Sequence, residues 1–221
     1  MKHFLSNLDL HSETPQNYES IIFGAGCFWG VEKKFWQLDG VWLTSVGYSG
    51  GELEDPSYEI VCSGITNHVE VVKVMFNPEV ISLADLLKVF WECHDPTQGM
   101  RQGNDIGSQY RSVIFLNSEL HKDESLSSLE TYQDELEANG YGPITTEISM
   151  MKNYFLAEEY HQQYLAVEGS RQYCSASPTK VKLGNFNGSN YKLSSEIWAN
   201  FNWDVDKCVL RSNNNPIEIN N

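Results

Sequence analysis

Between Ser20 and Met151 short apolar runs alternate with segments of helical period, and that order narrows the folds open to the chain more than any other feature. Ser20 to Gly24 is an apolar run ending in glycines, the pattern of a buried strand. Val31, Phe35 and Leu38 follow at helical spacing, with charge at Glu32, Lys33 and Lys34. Val41 to Tyr48 predicts a second strand, broken by Ser49-Gly50-Gly51. After a loop to about Asn67, His68 to Phe76 predicts a third. Ser82 then caps a helix whose Leu83, Leu86, Leu87, Phe90 and Trp91 keep helical spacing. A Gly-rich loop, His94 to Gln109, leads to a strand from Tyr110 to Leu116. A charged helix runs from Asn117 or Ser118 to about Asn139-Gly140, and Thr145 to Met150 is the last clear strand. The order strand–helix–strand–strand–helix–strand, then helix and strand, predicts an α+β domain of ferredoxin-like (split βαβ) plan, with helices packed on a mixed sheet.

This reading divides the chain into an N-terminal arm (1–19), a main domain (20–174) and an irregular, Asn-rich C-terminal extension (175–221). The last ten residues are expected to be disordered, while Trp198, Phe201 and Trp203 are candidates to pin the middle of the extension back. With 221 residues, 41% of them hydrophobic, the main domain can bury a core without covalent staples. The 15 basic against 30 acidic side chains give a net charge of -15, which repels nucleic-acid phosphates and anionic lipid headgroups. No apolar run approaches the roughly 20 residues of a membrane span. The N-terminus lacks a continuous apolar stretch after Lys2, so a cytoplasmic location is expected.

The five cysteines, Cys27, Cys62, Cys93, Cys174 and Cys208, are odd in number, widely spaced and without a Cys-x-x-Cys pair. Neither a disulfide framework nor a zinc ribbon is written in them. Cys27 stands apart because Gly24-Ala25-Gly26-Cys27-Phe28-Trp29-Gly30 lies where the first strand hands over to the first helix. There it meets unpaired N–H groups and the positive end of a helix dipole, both of which favour thiolate. The same glycines could instead belong to a dinucleotide fingerprint. Cys-Phe-Trp crowds the space a pyrophosphate needs, however, and no acidic residue closes the next strand.

Glu70 shares its strand face with Val72, Val74 and Phe76, while Lys73 marks the other face. Buried there, it would be a carboxylic acid of raised pKa able to donate a proton near neutrality. The alternative is a strand-end carboxylate that reaches solvent. Tyr58 and Tyr110 flank loops where phenols can enter a cleft or simply pack half-buried. Asp105 can order such a site or serve as a turn residue. His68, His94 and Glu158-x-x-His161 are weak metal signals, since a carboxylate-bridged di-iron site needs two such pairs, and no metal or cofactor is expected.

The strand-to-helix segment Gly26-Cys27-Phe28-Trp29-Gly30 resembles the signature of the A-type peptide methionine sulfoxide reductases. The resemblance continues in Val46-Gly47-Tyr48-Ser49-Gly50-Gly51, in Pro56 to Gly64, in His68-Val69-Glu70 and in Phe90 to Thr97. Gln102 to Ser112 is its longest piece, and Glu158 to Leu165 completes it. Ordered blocks over residues 20–174 make the likeness specific.

The resemblance implies reduction of methionine S-sulfoxide, free or in oxidised proteins. Cys27 would be the nucleophile and Glu70 the acid, Tyr58 and Tyr110 would bond the sulfoxide oxygen, and Asp105 would order the site. Phe28 and Trp29 would form the apolar wall for the methyl group. Cys27 would be left as a sulfenic acid, resolved to a disulfide that thioredoxin or a similar dithiol reduces. Cys174, where the family body ends, is the expected resolving thiol. Many relatives carry a Gly-rich stretch and another cysteine soon afterwards, whereas here Ser175-Ala176-Ser177-Pro178-Thr179-Lys180 follows and the next cysteine is Cys208. Cys208 is therefore either a relay or an unreactive thiol, while Cys62 and Cys93 read as structural. A thiol peroxidase or redox sensor would share the reactive Cys27, and a non-catalytic thioredoxin-binding scaffold would not need it. Neither gives Glu70 or the Phe-Trp wall a task.

Overall fold

The computed structural model describes residues 1–200. Its central sheet takes β1 (Glu19–Ala25), β2 (Val41–Ser49), β3 (Val69–Phe76), β6 (Ser112–Leu116), β7 (Glu147–Met150) and β8 (Phe155–Leu156) in the order β7-β6-β1-β3-β2-β8. Only β6 and β7 pair in parallel, so the sheet is mixed. A small hairpin of β4 (Arg101–Gln102) and β5 (Asp105–Ile106) stands apart from it.

Period two decides which side chains meet the helices. Ile21, Phe23, Val72, Val74, Phe76, Ile114 and Leu116 face α1 (Phe28–Trp36), α3 (Leu83–Glu92) and α4 (Lys122–Ala138) in the main core. Ile22, Val69, Val71, Val113 and Phe115 form the opposite face, packed against Met151 and Tyr154. Phe23 stacks on both Phe35 and Phe90 at 5.0 Å between centroids, which fixes α1 and α3 on the sheet. Ser82 caps α3 in a full capping box with Asp85.

Several expectations change in detail. The loop before Asn67 contains a short helix, α2 (Tyr58–Cys62), too brief to show a helical period in sequence. Tyr110 lies in a 3-10 turn, Ser108–Tyr110, rather than in the strand that begins at Ser112. The strand at Met150 is not the last, because β8 follows and pairs with β2 at the far edge.

The described part of the irregular extension is not loosely attached. Val181, Leu183, Phe186 and Leu193 belong to the main core. The amide of Leu183 donates to the buried Glu92 at 2.9 Å, and Lys182 pairs with the same carboxylate at 3.1 Å. Trp198 in α5 (Ser195–Asn200) packs partly against that core. The expectations for Phe201, Trp203, Cys208 and the last ten residues fall outside the described residues. Leu10 is buried with Leu43 and Met75, so part of the arm also covers the sheet. Among the described residues no helix is long and apolar enough to cross a membrane.

Candidate active site

A cleft of about 240 Å³ is lined by Cys27, Phe28, Trp29, Tyr58, Glu70, Asp105, Tyr110, Arg171 and Tyr173. All seven cleft residues expected from sequence thus come together from five separate places in the chain. Gly26, at φ +94°, turns the chain out of β1, and Cys27 takes the N-cap position of α1. A side chain at residue 26 would also collide with Gln102, 2.7 Å from its Cβ position.

Glu70 is 2% exposed and accepts a hydrogen bond from the Phe28 amide at 3.1 Å. Burial pushes its pKa up to about 8; the Phe28 amide opposes this and Asp105 adds to it. The carboxyl is therefore mainly protonated at neutrality, and the solvent-reaching alternative is excluded.

Cys27 departs from the simple helix-dipole expectation. Burial, first, and then the charge of Glu70 raise its thiol well above the ordinary range, with a smaller push from Asp105. The amides of Trp29 and Gly30 do lower it, as an N-terminal position should, but they do not win. A protonated Glu70 lifts the second of these raising causes. The acid and the nucleophile are thus electrostatically linked.

Burial drives both Tyr58 and Tyr110 up, followed for Tyr58 by its hydrogen bond with Cys62 and for Tyr110 by the charge of Glu70, so their phenols remain proton donors across the working pH range. Tyr58 opens α2, and its hydroxyl bonds Cys62. Cys62 is exposed rather than a core cysteine, unlike the buried Cys93, whose Sγ meets the Phe90 carbonyl at 3.2 Å. Phe28 is buried, whereas Trp29 is partly open and stacks on Tyr164 at 3.9 Å between centroids.

Sequence reasoning gave no structural role to the residues that hold this wall. Glu158 accepts from the Tyr48 hydroxyl and from the Tyr58 amide, both at 2.8 Å. Burial opposes its charge, but the Tyr58 amide, its own amide and the Tyr48 hydroxyl together outweigh burial and keep the carboxyl below its ordinary range. His161 accepts from the indole N–H of Trp29 at 3.1 Å and is lowered to about 4 by burial, hence neutral. The block Glu158 to Leu165 was part of the family resemblance, but Glu158 and His161 were weighed there only as a weak metal signal and were given no role in the cleft. His94 is engaged by the Phe90 carbonyl and Ser112, at 2.7 and 2.8 Å. Among the described residues no group of His, Cys, Asp and Glu is arranged to hold a metal.

Cys27, Cys93 and Cys174 line a second, small cavity behind the cleft, together with Lys34 and Ala176. Cys27, Cys62 and Cys93 are free thiols, whereas Cys174 is disulfide-bonded.

A thiol, a protonated carboxyl and two phenols around an aromatic-walled cleft define a thiol-based oxidoreductase. The model of the peptide methionine sulfoxide reductase family matches residues 19–192. The chain belongs to that family. Peptide methionine sulfoxide reductase MsrA 1 of Synechocystis sp. is 51% identical over 180 residues, 81% of each chain. A Pseudomonas aeruginosa MsrA is 51% identical over 82% of this chain and 84% of its own. Methionine sulfoxide reductase A of Corynebacterium diphtheriae superposes with a TM-score of 0.70 at 38% identity, over 79% of this chain and 89% of that one. The reduced form of Mxr1 from Saccharomyces cerevisiae gives 0.67 at 34% identity, over 76% and 95%.

Proposed function

We propose that this chain reduces methionine S-sulfoxide, free or in polypeptides, with Cys27 as nucleophile and Glu70 as general acid. The observation that carries the assignment is the buried, protonated Glu70 tied to the amide next to the nucleophile. Sulfoxide reduction needs a soft nucleophile at sulfur and a proton at the departing oxygen. Cys27 sulfur attacks the sulfoxide sulfur while Glu70 protonates the oxygen, and the Tyr58 and Tyr110 hydroxyls bond that oxygen. The S–O bond breaks and the oxygen leaves as water, giving a Cys27–sulfonium S–S bond; water then attacks the Cys27 sulfur, that S–S bond breaks, methionine leaves, and Cys27 remains as sulfenic acid. Phe28 and Trp29 supply the apolar wall for the methyl group, and Asp105 orders the cleft.

Cys174 then displaces the sulfenic hydroxyl as water, forming a Cys27–Cys174 disulfide. The cavity shared by Cys27 and Cys174 supports that pairing. A disulfide at Cys174 beside a free Cys27 fits a further exchange that returns Cys27 to the thiol. A thioredoxin-type dithiol closes the cycle. Free thiols at three positions suit a reducing compartment such as the cytoplasm.

The strand sequence β6-β1-β3-β2, antiparallel throughout, supports a split βαβ core with β7 and β8 added at its edges. Residues 20–174 form the catalytic unit in this scheme, with 1–19 as an arm and 175–221 as an extension.

The test is a single turnover of fully reduced protein on racemic N-acetyl-methionine sulfoxide without external reductant. The expected result is loss of the S epimer alone, with a Cys27–Cys174 link in the peptide map. No methionine from folded protein would refute the assignment, and peroxide turnover would then favour a thiol peroxidase.

A further inference from the structure

Both oxygens of the Asp105 carboxylate are taken by the residues on either side of Cys174. The Tyr173 hydroxyl donates to Oδ1 at 2.5 Å, and the Ser175 hydroxyl donates to Oδ2. Two residues on, the Ser177 amide donates to Gln102 Oε1 at 3.1 Å. Gly103, at φ +56°, lets the same segment approach, since a Cβ there would lie 2.0 Å from the Ser175 carbonyl oxygen. The β4–β5 hairpin therefore grips residues 173–177 at three points.

That hairpin is itself set against the nucleophile's turn, because Gln102 fills the space a side chain on Gly26 would need. Cys27 and Cys174 consequently share the wall of one cavity, although Cys27 is a free thiol and the Cys174 sulfur is engaged in a disulfide that does not include Cys27. The grip does not depend on a bond between them.

We propose that Ser175 is a positioning residue for the second half of the reaction, acting through Asp105 to hold Cys174 against Cys27. The step it serves joins Cys27–S–OH and HS–Cys174 into a disulfide, and the sulfenic hydroxyl leaves with the Cys174 proton as water. Holding the two sulfurs together before reaction replaces a search by a mobile chain with a preset encounter. This inference rests on the role proposed for Cys27, and the experiment separates the two.

Reduced full-length protein, Ser175→Ala and Ser175→Thr are each mixed with one equivalent of the S-sulfoxide and quenched over time. Methionine, Cys27 sulfenic acid trapped by a dimedone-type probe, and the Cys27–Cys174 peptide are quantified together. Ser175→Ala should form methionine at the wild-type rate but close the disulfide about tenfold more slowly, the size expected for losing a hydrogen bond to a charged group. Sulfenic acid should accumulate in that variant, and Ser175→Thr, which keeps the hydroxyl, should restore closure. Unchanged closure in Ser175→Ala, equal slowing of both steps, or a Thr variant as slow as Ala would each overturn the positioning role. Failure of the wild-type protein to form methionine would instead overturn the reading of Cys27.

Discussion

The amide of Phe28 donates to Glu70 Oε2 at 3.1 Å, which binds the first residue of α1 to the second residue of β3 across 42 positions of sequence. The bond sets the carboxyl at the N-terminus of the helix that Cys27 caps. It also stabilises whatever charge Glu70 carries, but burial prevails and leaves the group protonated.

Glu70→Gln keeps an oxygen for the Phe28 amide and removes the transferable proton. Methionine formation in a single turnover should fall by about 10²–10⁴-fold, the usual worth of general acid catalysis. Reaction of Cys27 with peroxide should hardly change, because that reaction needs no acid from Glu70. Full sulfoxide turnover in this variant would show that another group supplies the proton.

The pH profile should carry the signature of the same carboxyl. Glu70 acts when protonated, so the single-turnover rate should decline as pH rises through about 8. The decline should be missing from the residual rate of Glu70→Gln. Stability follows the same sign: between the ordinary 4.5 and about 8 the folded chain holds a proton the unfolded chain has lost, so unfolding becomes easier as pH rises across that window. Glu32, buried and raised to about 7, adds to the trend. Urea midpoints of wild type, Glu70→Gln and Glu32→Gln at pH 5 and pH 8 check it, with each variant expected to be less pH-dependent.

The thiols should separate by step. Cys27→Ser should form no methionine. Cys174→Ser should form about one equivalent per chain and then stop with thioredoxin present, its Cys27 trapped as sulfenic acid. Cys93→Ser should recycle normally, since burial pushes that thiol up to about 12 and its Sγ meets a backbone carbonyl. Methionine counts per chain and intact mass distinguish the three.

Leu183 is fully buried in the main core although it lies in the extension. Leu183→Ala should destabilise the protein by about 2–5 kcal/mol through the cavity it leaves. A denaturant midpoint indistinguishable from wild type would mean that the extension contributes nothing to the core.

Helices α1, α3 and α4 and strands β1, β2, β3, β6 and β7 were legible because each is long enough to express its own period. The two-residue strands β4, β5 and β8 and the single helical turn α2 have no period to read. The seven expected cleft residues were legible partly through chemistry, as with Glu70 on an apolar strand face, and partly through motif likeness. Glu158, His161 and Tyr173 act through partners about 70 to 130 residues away, and no local pattern encodes such a bond.

The sequence by itself determined the alternation of strands and helices, the face on which Glu70 lies, and the placing of Cys27 at a strand-to-helix turn. These follow from the local rules of backbone period and glycine turns. Tertiary structure alone decided the protonation of Glu70, the raised thiol of Cys27, and the gripping of Cys174 by Asp105. Each depends on desolvation and on hydrogen bonds between distant segments, which exist only once the chain has closed on itself.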